Sequence, residues 1–258
     1  MHVQLSGPVG APTILFLHAM GTSGWMWEPI VERLGAYRCL VPDLPGHGRS
    51  AATPWHSLDD TVAGLAALIK SEGTGGRAHV VGLSMGAYAG LRLMARAPHR
   101  VDRAILSGLN VLPFPSPRLM RLAGRLMAPI IGTNIVLKAQ AKALRIPARR
   151  VEGYLRAAKA MSRGTFLRIG DEFMDFRVTA DLEQARSPCL VVAGEREHDL
   201  IRRSIPALLK ALPDARGALV PGLGHGWSGE DPDLFARTVA AWCEGRGLPP
   251  ELVPVPAD

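Results

Sequence analysis

Ser84 stands between two glycines in Gly82-Leu83-Ser84-Met85-Gly86, directly after an apolar run and directly before a helical pattern. A serine hydroxyl is inert near neutral pH and becomes a nucleophile when a base lies within hydrogen-bonding reach. Glycines two residues to either side let the backbone turn sharply where a Cβ would collide with its neighbours. Ala87, Ala89 and Gly90 let the following helix lie close on the strands, and its N-terminal amides and dipole point at the serine, where they stabilise developing negative charge. The same pentapeptide also occurs as an ordinary strand-to-helix turn, so its meaning depends on what else the chain brings there.

A serine raised in this way needs a sheet beneath it. Residues 3–5, 13–17, 37–41, 78–83, 101–106, 189–193 and 218–220 read as strands, and residues 25–34, 58–72, 85–97, 201–212 and 231–245 as helices. The run at 13–17 is apolar on both faces, as an inner strand must be. This alternation predicts an α/β fold, a mostly parallel central sheet with helices on both faces. The rhythm fails from Asn110 to about Ala180, where the chain is punctuated by proline, helical in pattern and rich in Leu, Met and Arg. The expected organisation is a core of residues 1–110 and 181–247 and an inserted helical cap of residues 111–180. Residues 248–258, with four prolines, are expected to be a disordered tail.

Composition narrows the class. A chain of 258 residues, 47% hydrophobic and 5% aromatic, suits one α/β domain with an insertion. No apolar run approaches the ~18 residues that cross a bilayer, so no stable membrane insertion is expected, and Met1 to Gly7 lacks the basic start and apolar core of a secretory signal. Cys39, Cys189 and Cys243 fall in apolar surroundings on different elements and read as buried reduced thiols of a cytoplasmic protein. The net charge of +7 is concentrated in one segment, since Leu112 to Ala180 holds thirteen Lys/Arg against four Asp/Glu. There Arg118, Arg121 and Arg125 alternate with Leu119, Met120, Leu122 and Leu126 at helical spacing. No aromatic stacking platform accompanies them, so a solvated helix face is expected and no nucleic-acid partner.

Four features fall in one order along the chain: His18-Ala19-Met20-Gly21 after an early strand, Asp43-Leu44-Pro45-Gly46-His47-Gly48-Arg49-Ser50 after the next, the Ser84 turn, and Gly222-Leu223-Gly224-His225-Gly226-Trp227 near the end. In this order they resemble the α/β-hydrolase fold superfamily over nearly the whole chain, in the form of a serine esterase with a helical cap. The resemblance implies Ser84 as nucleophile and His225, between glycines after the last strand, as general base. The family's nucleophile, acid, histidine order places a carboxylate in Gly194-Glu195-Arg196-Glu197-His198-Asp199. Glu197 occupies the usual position, where the family commonly has aspartate, and Asp199 is the alternative triad acid. The implied oxyanion hole comprises the backbone N–H groups of Met85 and Met20. His18 and Asp43 read as residues that fix loops.

Met120, Met127, Met161 and Met174 with neighbouring Leu, Ile and Phe166 could roof the site with flexible apolar side chains, or only join the cap helices together. Trp25 and Trp27 either wall the pocket or pack beneath a helix. The expected substrate is a small lipophilic acyl compound. Carboxylic ester hydrolysis is the leading reaction, with thioesters or lactones also open. Acyl transfer, lyase or cyclase chemistry on the same fold is the alternative, as is a non-catalytic small-molecule-binding module. An Asp nucleophile, as used for alkyl-enzyme chemistry, is absent from the turn, and no phosphate-loop, zinc or dinucleotide motif stands where it would matter, so no cofactor or metal is implied. Oligomeric state is left open.

Overall fold

The computed structural model describes residues 1–143, 146 and 148–256. Its centre is an eight-stranded sheet in the order β1-β3-β2-β4-β5-β6-β7-β8. The strands are β1 (Val3–Ser6), β2 (Thr13–Leu17), β3 (Arg38–Pro42), β4 (Ala78–Leu83), β5 (Val101–Ser107), β6 (Cys189–Gly194), β7 (Ala215–Val220) and β8 (Val253–Val255). Only β1 and β8, at the two edges, pair antiparallel to their neighbours. Strand β2 lies between β3 and β4. The chain therefore leaves β2 first to one side and then to the other, and the crevice this reversal opens at the strands' carboxyl ends is where open α/β sheets bind ligands.

The period of two along each inner strand sorts its side chains into two cores. Leu15, Leu17, Val80, Val191 and Ala193 face one layer, under α2 (Leu58–Glu72), α3 (Met85–Arg96) and α8 (Asp199–Ala211). Ile14, Phe16, Val81, Leu190 and Val192 face the other, under α10 (Pro232–Cys243) and the short helix α1 (Glu28–Val31). Helix starts carry their own signals: Ser57 Oγ accepts the Asp60 N–H at the head of α2, and Asp231 accepts the Leu234 N–H at the head of α10.

Between β5 and β6 the chain forms α4 (Pro117–Met127), α5 (Asn134–Ala143), α6 (Val151–Ala160) and α7 (Arg163–Asp175). Helix α7 is fastened to the core. Glu172 accepts from Trp55 Nε1 at 3.0 Å and from the Leu58 amide at 2.7 Å, and Phe173 stacks on Tyr88 at 4.3 Å.

Two expectations need correction. The helix read at 25–34 is instead a 3-10 turn, Gly24–Trp27, followed by the single turn of α1. Pro29 enters at the start of that turn, where its missing N–H costs nothing. The tail is also not disordered where it is described: Leu252 is buried in the second core, and Val253, Pro254 and Val255 pair with β7. An edge strand tolerates proline because one row of its backbone groups has no ladder partner.

Candidate active site

The turn after β4 is built as its glycines require. A Cβ on Gly82 would lie 2.3 Å from the Gly86 carbonyl oxygen, and one on Gly86 would lie 2.0 Å from that of Leu17. Between them Ser84 holds φ 54° and ψ −116°, a backbone conformation that L-residues rarely adopt. The Ser84 amide donates to the Ser107 carbonyl at 2.8 Å, which pins the turn to the end of β5. Met85 opens α3, so its N–H is one of the first-turn amides that lack an intrahelical acceptor.

His225 sits in the loop between β7 and α9 (Trp227–Glu230). Trp227, fully buried, anchors that loop through its indole N–H, which donates to Ser107 Oγ at 2.9 Å. A Cβ on Gly194 would meet the Gly224 carbonyl oxygen at 2.5 Å, so only glycine lets the loop after β6 approach the histidine loop this closely. The two loops are tied again by the Arg196 amide donating to the Leu223 carbonyl and the Gly222 amide donating to Glu195 Oε2.

The Glu197 side chain is wholly inaccessible. One carboxylate oxygen accepts the Gly194 amide at 3.0 Å and the other lies 2.6 Å from His225 Nδ1. A carboxylate can only accept, so the proton of this contact is carried by Nδ1. Asp199, the other carboxylate weighed, is excluded from this contact. It begins α8, is more than half exposed, and faces Arg202 and Arg203. Gly108, which the sequence reading passed over, closes the arrangement. At φ +69° it leaves open the space where a Cβ would lie 2.8 Å from the His225 ring and 3.2 Å from Glu197.

Ser84, His225 and Met20 share a cavity of about 700 Å³. Trp25 also lines it, whereas Trp27 is buried in the second core between Phe16 and Phe235 and does not reach it. The opposite wall comes from the helical segment, with Ile131, Leu137, Tyr154, Met161 and Phe166. Arg150, Lys159 and Arg163 on the wall come from that segment too, and no Asp or Glu is among the described lining residues. Of the residues read as a possible roof, Met120 and Met127 point outward instead.

The loop after β2 is held by its own atoms. Thr22 Oγ1 donates to the Ala19 carbonyl at 2.7 Å, and Met26 Sδ accepts the Ala19 amide. His18 is fully buried: its Nε2 accepts the Leu44 amide and its Nδ1–H donates to the Ala19 carbonyl. Burial, with His47 alongside, lowers its pKa to about 3, and burial lowers that of His47 to about 4. Both rings are therefore neutral loop fasteners. Asp43 serves the same end by accepting the Gly24 and Arg49 amides. Among the described residues no cluster of three or more His, Cys, Asp or Glu could hold a metal ion, and no helix is long and apolar enough to cross a membrane. Cys39 and Cys189 are buried free thiols, their pKa values raised by burial, and Cys243 is a partly buried one.

This architecture agrees with a family match along the sequence: the profile of the Alpha/beta hydrolase family covers residues 14–238. The chain belongs to the alpha/beta hydrolase family. Within it, an AB hydrolase superfamily protein of Gibberella zeae is 29% identical over 256 residues, spanning 96% of this chain and 85% of the relative. Lipase LipV of Mycobacterium tuberculosis is 37% identical over 107 residues, 41% of this chain and 40% of the relative. Among solved structures, a thermophilic esterase from Thermogutta terrifontis superposes with a TM-score of 0.79 at 19% identity, covering 95% of this chain and 93% of that one. The alpha/beta hydrolase relatives support hydrolase activity on a small-molecule substrate.

Proposed function

We propose that this alpha/beta hydrolase is a serine hydrolase that cleaves carboxylic esters, lactones and thioesters included, through an acyl-enzyme on Ser84. The observation that carries the reading is the buried Glu197 carboxylate 2.6 Å from His225 Nδ1, on a histidine that shares its cavity with Ser84. Glu197 holds the ring in the tautomer with a basic Nε2 and stabilises the imidazolium once it forms. His225 takes the Ser84 proton as Oγ attacks the acyl carbon and returns it to the departing alkoxide. Water, activated by the same nitrogen, then attacks the ester carbon and frees Ser84. The amides of Met85 and Met20 receive the oxyanion, each worth about 3 kcal/mol in the transition state.

Residues 111–180 act in this reading as a cap over Ser84, and the apolar side chains of Trp25, Phe166 and Met161 favour a lipophilic acyl group. The name of the Mycobacterium tuberculosis relative, a lipase, is in keeping with an ester bond. Replacing Ser84 by Ala should abolish turnover of p-nitrophenyl esters and labelling by a fluorophosphonate, followed by intact mass. Turnover or labelling retained by Ser84→Ala would remove the proposal.

A further inference from the structure

Helix α4 turns its leucines to water. A surface helix ordinarily turns its apolar stripe to the core and its charges to water. Here no residue of α4 is buried, and Leu119, Leu122 and Leu126 are 65%, 54% and 71% exposed. Arg121, about a quarter exposed, ties the helix to α7 by pairing with Asp171 and Asp175, and the more exposed Arg125 lies 3.8 Å from Asp171. Met127 at the end of the helix, and Ile130 and Ile135 in the residues that follow, are exposed as well, Ile135 by 84%. Solvent-facing apolar side chains gathered in one patch mark a surface that something covers.

The charge around the patch discriminates between occupants. From Leu112 to Val151 the sequence has eight Lys/Arg and no Asp or Glu. Arg118, next to Leu119 in α4, and Lys138, three residues after Ile135, are both exposed, and among the described residues neither has a carboxylate partner. A second copy docking through the same face would bring two basic rims together, which costs free energy. An anionic lipid surface meets both requirements, because acyl chains accept the leucines while headgroup phosphates neutralise the rim. The patch also adjoins the active-site cavity, since Pro129, Ile131 and Thr133 line it from the same connection.

We propose that α4 and the connection after it dock on an anionic lipid surface, lying on it rather than crossing it, so that the cavity mouth is held at the water–lipid boundary. The docking itself does not depend on the esterase reading. The test is sedimentation of the full chain with phosphatidylglycerol vesicles and, separately, phosphatidylcholine vesicles, at low and high salt. The same measurement is made on the triple variant Leu119→Gln, Leu122→Gln, Leu126→Gln and on the double variant Arg118→Glu, Lys138→Glu.

The expected result is preferential binding to phosphatidylglycerol, weakened by salt, and reduced roughly tenfold or more in each variant because apolar burial and headgroup attraction both contribute. The altered side chains already face solvent, so near-UV circular dichroism should be unchanged. Equal binding to both vesicle types, or undiminished binding by the triple variant, would overturn the proposal. So would a stable dimer of the unaltered chain, seen by light scattering, that the triple variant dissolves. Loss of ester hydrolysis in Ser84→Ala bears on the chemistry alone, so failure of one reading is distinguishable from failure of the other.

Discussion

Ser84 carries the cost of its own position. At φ 54° and ψ −116° it occupies a region that a residue with a Cβ rarely enters, and such strain is worth about 1–3 kcal/mol. Replacing it by Gly should therefore do two opposite things: abolish turnover and raise the free energy of urea unfolding by roughly 1 kcal/mol once the greater freedom of glycine in the unfolded chain is subtracted. A stability equal to or below that of the unaltered protein would mean the turn is not strained. Ser84 and His225 stood out as candidates from residue type, spacing and order along the chain, and the acid was narrowed to Glu197 or Asp199. Gly108 was not. Nothing in Ser107-Gly108-Leu109 shows that the glycine borders a ring supplied from residue 225, because that proximity exists only after β5, β6 and β7 are laid side by side.

At the scale of elements, the loops after β2 and β3 are joined by neutral histidines, and this fixes the sign of their pH dependence. The folded-state pKa values of His18 and His47, about 3 and about 4, lie below the ordinary histidine value. As pH falls below about 6.5 the unfolded chain takes up protons that the folded one refuses. Their contribution is present in full above that pH and is lost progressively on acidification toward about pH 4 and then about pH 3. Denaturation midpoints measured between about pH 4 and 7 should fall with acid, at up to about 1.4 kcal/mol per pH unit for each ring. His18→Gln should be less stable at neutral pH and show a shallower acid limb. An unchanged slope would show that His18 is not the titrating group. The periodicity that predicted β2, β4 and α3 succeeded because both faces of those elements are buried. The stretch at 25–34 is shorter and tighter than one α-helix because a 3-10 turn carries Trp25 to the cavity and Trp27 to the core before the single turn of α1.

For the molecule as a whole, the distribution of charge around the cavity gives a prediction about charged substrates. Among the described residues its wall carries Arg150, Lys159 and Arg163 and no carboxylate side chain. Arg150 is already engaged, donating to the Trp25 carbonyl at 2.8 Å with Glu28 nearby. Lys159 and Arg163 are exposed, on either side of the turn between α6 and α7. Arg163 is also the first residue of α7, where the helix dipole disfavours a cation. The double change Lys159→Glu, Arg163→Glu should raise KM for a carboxylate-bearing ester by about tenfold and leave kcat, and the KM of a neutral ester of the same length, nearly unchanged. A parallel rise for both esters would point to lost packing instead.

The sequence alone determined the fold class, the serine on its sharp turn and the histidine expected to serve it, because these depend on local periodicity, on glycine where a Cβ cannot fit, and on order along the chain. Tertiary structure placed Glu197, and not Asp199 two residues on, against His225: the reach of one into a buried contact and of the other into solvent is set by where β6 ends and α8 begins. It also decided which face of α4 is turned to water. Helical spacing gives the angle between the leucines and the arginines, but which side has a partner depends on the carboxylates of α7, more than forty residues away in sequence.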